Sequence, residues 1–144
     1  MNNITDSPFK SISILYRKTH IWLNNSCSQY GLTAPQAVII LIVCDFNGLT
    51  QDEITKRLGL DKSVIAKTVT KLIKSGFMIR QTNAKDKRTY DILPTEEAWK
   101  VYPFVKEQID NCFLRLTKHM DDSQRKEFKH LLQLASEAVL SEEE

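Results

Sequence analysis

Four glycines in 144 residues, Gly31, Gly48, Gly59 and Gly76, stand 17, 11 and 17 residues apart, and each closes a stretch of helical periodicity. Glycine tolerates the left-handed backbone that ends a helix, so this spacing cuts the chain into short helices rather than one long rod. The starts are marked as well. Ser7-Pro8 sets a hydroxyl before a proline at the first helical position. Thr33 with Gln36, and Thr50 with Glu53, fit the reciprocal capping box, while Asp61 and Thr95 are the expected caps of two further helices. Together these signals predict helices over 8–30, 34–46, 51–58, 62–75, 96–118 and 122–140.

Between the fourth and fifth helices the period changes from helical to two. Phe77, Ile79 and Gln81 alternate with Met78, Arg80 and Thr82; Tyr90 and Ile92 alternate with Asp91 and Leu93, across a polar loop at 83–88. This is the one strand pair expected. The fold class is therefore mainly α with a small β-hairpin, in a chain long enough to bury about 70% of its unfolded surface.

Other classes are excluded one by one. The longest apolar run, Ala37 to Cys44, has 8 residues and stops at Asp45, whereas a membrane helix needs about 20. The first eight residues lack the cationic and apolar regions of a secretion signal, and Glu142-Glu143-Glu144 reads as a solvated tail. Three cysteines (Cys27, Cys44, Cys112) without a CxxC spacing point to free thiols in a reducing cytoplasm. No paired acid and base, nucleophile with a neighbouring base, or phosphate-binding glycine loop is present, so neither an enzyme nor a cofactor is expected. Cys112 and His119 are a heptad apart but lack a third ligand, so no metal is expected either.

The formal net charge of +2 conceals a strong asymmetry: residues 1–53 carry −1, residues 54–90 carry +8 and residues 91–144 carry −5. A basic block flanked by acidic segments is the electrostatic footprint of a nucleic-acid surface. Within it, 51–58, Gly59-Leu60 and 61–74 form a short helix, a tight turn and a longer helix. Ile54, Leu58, Leu60, Ile65, Val69 and Leu72 are placed to pack the two helices together.

At about 100° per residue, Ile65, Val69 and Leu72 share one stripe, which turns Ser63, Lys67, Thr70 and Lys74, with Lys71 beside them, to the opposite side. Hydroxyls interleaved with lysines suit a major groove, and Thr50, Lys62 and Thr68 complete the expected DNA contacts of this unit. The hairpin tip adds Lys85, Lys87 and Arg88, positioned as a wing that reaches an adjacent minor groove. Asp86 between them is expected to structure the tip, by bonding loop amides or pairing with Arg88.

The chain ends are apolar in stripes. Ala98, Tyr102, Val105, Ile109, Cys112 and Leu116 recur at 4-3 spacing; Phe128, Leu131, Leu132, Ala135, Ala138 and Val139 form a second stripe, and Phe9, Ile12, Tyr16, Leu23 and Cys27 a third. Three such helices have little to cover besides one another and a second copy, so residues 1–31 and 95–144 are expected to form a dimerisation region around a DNA-binding region at 32–94. Pro103 is expected to kink the fifth helix. Arg17, His20 and Trp22 are the candidate contacts for a small aromatic or anionic effector, or else Trp22 is core and the other two are solvated.

The order of elements, with Leu49-Thr50-Gln51-Asp52-Glu53-Ile54, Leu58-Gly59-Leu60-Asp61-Lys62-Ser63-Val64, Leu72-Ile73-Lys74-Ser75-Gly76 and Asp86-Lys87-Arg88 followed by Thr95, resembles the MarR family of winged helix-turn-helix transcriptional regulators. The resemblance runs from about Phe9 to Leu140, with two departures: Pro94 precedes Thr95, and Ala98 stands where the family commonly has glycine. It implies a homodimer on double-stranded DNA at a pseudo-palindromic operator, usually a repressor released by a ligand or by oxidation. Two alternatives stay open from the residues: a winged-helix module that binds an acidic protein partner, and a thiol-based redox sensor.

Overall fold

A computed structural model describes residues 6–142. Residues 1–5 and the last two residues of the acidic tail, on which parts of the secretion-signal and tail readings fall, lie outside the described residues. Helix α1 (Pro8–Cys27) opens at Ser7, whose Oγ accepts from the Phe9 amide, and ends in a 3₁₀ turn, Ser28–Tyr30. Helix α2 (Ala34–Asp45) begins at the Thr33–Gln36 capping box. Asn24 Oδ1 accepts from the Ala34 amide at 2.6 Å, which ties the start of α2 to α1. Helices α3 (Gln51–Leu58) and α4 (Lys62–Lys74) are joined through Gly59.

Strands β2 (Met78–Thr82) and β3 (Tyr90–Pro94) make the hairpin, with Arg80 opposite Ile92 and Thr82 opposite Tyr90. A third strand was not expected. β1 (Leu49–Thr50) pairs antiparallel with β3, giving the order β1-β3-β2. Two residues are too few to show alternation, and Thr50 already belongs to the next helix as its cap. Helices α5 (Glu96–Leu116) and α6 (Asp122–Ser141) complete the chain.

Helix α2 is apolar all round because it is surrounded: it packs against α1, α5, α4 and β3. Its own Ile39, Ile40 and Val43 are fully buried, as are Ile54, Ile65, Val69, Leu72, Met78, Ile92 and Val105 of the surrounding elements, each side chain worth about 1.5–3 kcal/mol of burial. Gly48 shows why one stop must be glycine. Its φ is +117°, and a Cβ there would lie 2.5 Å from Leu93 Cδ2 of β3.

The two ends behave differently. The α5 stripe turns inward, with Ala98 and Val105 buried and Tyr102, Ile109 and Cys112 packed on the core margin. Helix α6 buries none of its residues within the protomer. It is held at its start by Arg125, whose Nε donates to Thr117 Oγ1 at 2.9 Å, and by Phe128 stacked on Phe113. At its far end Leu140 lies beside the α3–α4 turn, so close that a Cβ on Gly59 would sit 2.9 Å from it.

Two expectations need correction. Leu60 is exposed rather than packed between helices, because it stands between the left-handed Gly59 and the extended Asp61, outside both helices. Asp61 has the extended backbone of a cap but makes no side-chain capping bond. Pro103 lies inside α5, which runs through it as one helix. Among the described residues no single helix is long and apolar enough to cross a membrane.

Candidate nucleic-acid interface

Helix α4 has two faces of opposite character. Ile65, Val69 and Leu72 are fully buried, while Lys62, Ser63, Lys67, Thr70, Lys71 and Lys74 are exposed. Thr70 Oγ1 donates to Ala66 O and Thr68 Oγ1 to Val64 O, both at 2.8 Å, leaving the hydroxyl oxygens as acceptors. Thr68 is only half-exposed. Thr50 stands apart from this ridge: its hydroxyl accepts from the Glu53 amide at 3.1 Å and its own amide donates to Glu53 Oε2. The structure thus commits Thr50 to holding α3.

The hairpin tip is built on two side chains. Asn83 Oδ1 accepts from the Lys85 and Asp86 amides, both at 2.9 Å, and its Nδ2 donates to Asp91 Oδ1 at 2.8 Å. Asp86 Oδ1 accepts from the Arg88 amide and from Arg88 Nε, both at 3.0 Å, and Oδ2 accepts from the other arm of the guanidinium at 3.2 Å. The loop is therefore cross-braced. Arg88 and its amide together hold the Asp86 carboxyl below the usual carboxylate range. The Arg88 side chain remains 89% exposed, aimed but uncovered, and Lys85 and Lys87 are exposed beside it.

A second arginine lies at the wing base, where sequence reading placed no contact. Arg80 lies 5.2 Å from the Tyr90 ring centroid across β2 and β3, and with Gln51, Asp52, Arg88 and Thr89 the pair lines a cleft of about 280 Å³. The signal was a diagonal cross-strand pair, visible only once the register is known.

The residues considered for an effector separate. Arg17 bonds Ser13 on its own helix and lines none of the clefts described here. The arginine over Trp22 is Arg115 of α5, at 3.9 Å from the ring centroid. These two line a cleft of about 120 Å³ with Ser26, Gln108, Asn111 and Cys112. His20 instead lines a neighbouring apolar cleft of about 190 Å³, formed with Thr19, Leu23, Ala34, Val38, Ile109 and Cys112.

The thiols are poorly placed for redox chemistry, which needs a thiolate. Burial, then Asp45, pushes Cys44 up to about 11; burial raises Cys27; burial raises Cys112 against the opposing pull of Arg115. Among the described residues no group of three or more His, Cys, Asp or Glu is arranged to hold a metal ion.

The MarR family model matches residues 32–90, from the start of α2 to the second hairpin strand. A MarR transcriptional regulator from Methanosarcina mazei Go1 is 30% identical in sequence and superposes with a TM-score of 0.85, over 92% of this chain and 95% of that one. The chain belongs to the MarR family of transcriptional regulators. It is thus a regulator and not an enzyme. The HTH-type transcriptional regulator YybA of Bacillus subtilis strain 168 is 23% identical over 108 residues, 75% of this chain and 69% of that protein. A cysteine-to-serine mutant of MarR from E. coli, complexed with operator DNA, shares the fold at a TM-score of 0.78 and 20% identity, over 88% of this chain and 91% of that one.

The family's two departures are absorbed at one joint in this MarR-family chain. Pro94 closes β3 opposite Met78, and Thr95 caps α5 by accepting from the Ala98 amide while donating to Gly76 O at 2.6 Å. Ala98 is fully buried. The joint therefore ties the hairpin to α5 without touching the outward ridge of α4.

Proposed function

We propose that the protein is a sequence-specific DNA-binding repressor that acts as a homodimer on a pseudo-palindromic operator and is released by a small-molecule effector. The observation that carries the reading is the pairing of an uncovered hydroxyl-lysine ridge on α4 with an exposed Arg88 that Asp86 aims from the wing. In it, Ser63, Lys67, Thr70 and Lys74 face the major groove, with Lys62, Thr68 and Lys71 flanking, while Lys85, Lys87 and Arg88 take phosphates and the minor groove. Residues 32–94 form the DNA-binding region. Residues 1–31 and 95–144 form the dimerisation region, a reading supported by Phe9, Ile12, Leu131, Leu132 and Val139 standing exposed on α1 and α6.

The effector enters at the adjoining clefts between α1, α2 and α5, where Trp22 and Arg115 offer an aromatic face and a cation and His20 borders the apolar part. An aromatic or anionic small molecule suits that chemistry.

Selection of duplex DNA from a random pool tests the reading. It should return a palindrome, bound with an affinity that falls about 0.9 log unit per log unit of salt for each phosphate neutralised. If arbitrary duplex competes as well as the selected one, the basic ridge serves an acidic protein partner instead and the sequence-specific role is lost.

A further inference from the structure

Helix α4 carries one side chain that neither its core nor its cationic ridge explains. Val64, the third residue of the helix, is 42% exposed and packs neither in the hydrophobic core nor on its partly buried margin. One and two turns further along the same side of the helix stand Lys67, Thr68 and Lys71. The valine thus sits at the edge of the surface proposed to enter the groove, in the first turn of the helix. In helix-turn-helix docking it is the N-terminal residues of the second helix that meet base edges.

We propose that Val64 is a specificity-determining residue that reads the 5-methyl group of a thymine in the major groove. This inference rests on the DNA-reading role proposed for α4. Lysines and hydroxyls find acceptors on more than one base, whereas among the four bases only thymine presents a methyl group in that groove. An apolar side chain beside the polar ridge supplies the discrimination that the ridge lacks. Valine also suits the task mechanically: β-branching leaves it essentially one rotamer in a helix, so its methyls are fixed by the backbone and lose little freedom on contact. The hydrogen bond from Thr68 Oγ1 to Val64 O occupies the hydroxyl one turn beyond the valine with its own helix.

The test uses the full-length protein and the duplex it selects from a random pool. Each thymine is replaced in turn by deoxyuridine, symmetrically in the two half-sites, which removes the methyl and leaves every hydrogen-bonding group. One position should cost about fourfold in affinity per half-site, the scale of one methyl removed from water. Val64→Ala should bind the thymine duplex more weakly by a similar factor and be indifferent to deoxyuridine at that position; Val64→Thr, which keeps one methyl, should fall between. Folding of the variants is followed by their thermal melts, and the deoxyuridine scan with the unaltered protein needs no variant at all. If no replacement changes affinity by more than about twofold, or if Val64→Ala retains the full deoxyuridine penalty, Val64 does not read a methyl while the DNA-binding role stands. If selection returns no preferred duplex, both fall together.

Discussion

The helix-turn-helix unit and the terminal helices meet the same requirement, burial of apolar side chains, by opposite means. In α4, Ile65, Val69 and Leu72 are covered completely by the chain's own α2, α3 and hairpin, and only polar groups and Val64 are left outside. Helix α6 touches the rest of the protomer at Arg125, Phe128 and Leu140 but buries none of its own residues, and its Leu131, Leu132, Leu134 and Val139 stand in the open with Phe9 and Ile12 of α1. One region is finished by a single chain. The other has an apolar surface that a second copy would complete, and the contrast separates residues needed for folding from residues needed for assembly.

The comparison breaks most visibly at α6. Leu132→Glu combined with Val139→Glu should leave a folded chain that runs as a monomer in light scattering and loses about a hundredfold or more in operator affinity, because two linked half-sites become two separate ones. A variant that stays dimeric would show that α6 is not the covering element. Ile65→Ala attacks the self-covered region instead. It should lower unfolding free energy by about 2–5 kcal/mol in urea denaturation without regard to protein concentration.

Arg88→Ala follows in size. It should cost about 1–3 kcal/mol of binding, relax preference near the outer edges of the site and leave the melt unchanged, whereas Lys67→Ala should disturb the centre of each half-site. Identical footprints for the two variants would show that wing and helix do not read separately.

The smallest effect lies at the seam between the regions, where Tyr102 of α5 donates its phenol proton to Asp45 at the end of α2. That bond, with lesser contributions from burial and nearby negative charge, pushes Tyr102 up to about 12. A raised phenol pKa means the stabilisation is complete below the ordinary range near 10 and disappears as pH climbs through about 12. Absorbance at 295 nm should show a phenol ionising about there, absent in Tyr102→Phe; a spectrum unchanged by the substitution would dismiss the bond.

Local chemistry made most of the fold legible. The helices that begin after Ser7, Thr33, Thr50, Thr95 and Asp121 start at side-chain caps, the left-handed Gly31, Gly48, Gly59 and Gly76 follow the first four helices by a logic that needs only neighbouring residues, and the buried stripe of α4 follows from spacing alone. What escaped is non-local. Strand β1 exists because β3 lies beside it; Arg115 rather than Arg17 meets Trp22 because α5 crosses α1; Arg80 meets Tyr90 because of hairpin register. None of these partnerships leaves a trace in periodicity. The exposed Leu60 is a related case, since it stands with Gly59 and Asp61 in the turn between two helices and belongs to neither.

Asp86 gives the wing a temperament as well as a direction. An arginine already gripped by a carboxylate is, to a passing phosphate, close to a neutral group; the lysines of α4 have no carboxylate within 4 Å among the described residues. On the proposed reading, random stretches of duplex would therefore be held by the lysines of α4 and of the wing, Lys85 and Lys87, and barely by Arg88. A protein built this way can glide along DNA with one hand free, and close that hand only where the groove narrows enough to draw the arginine in.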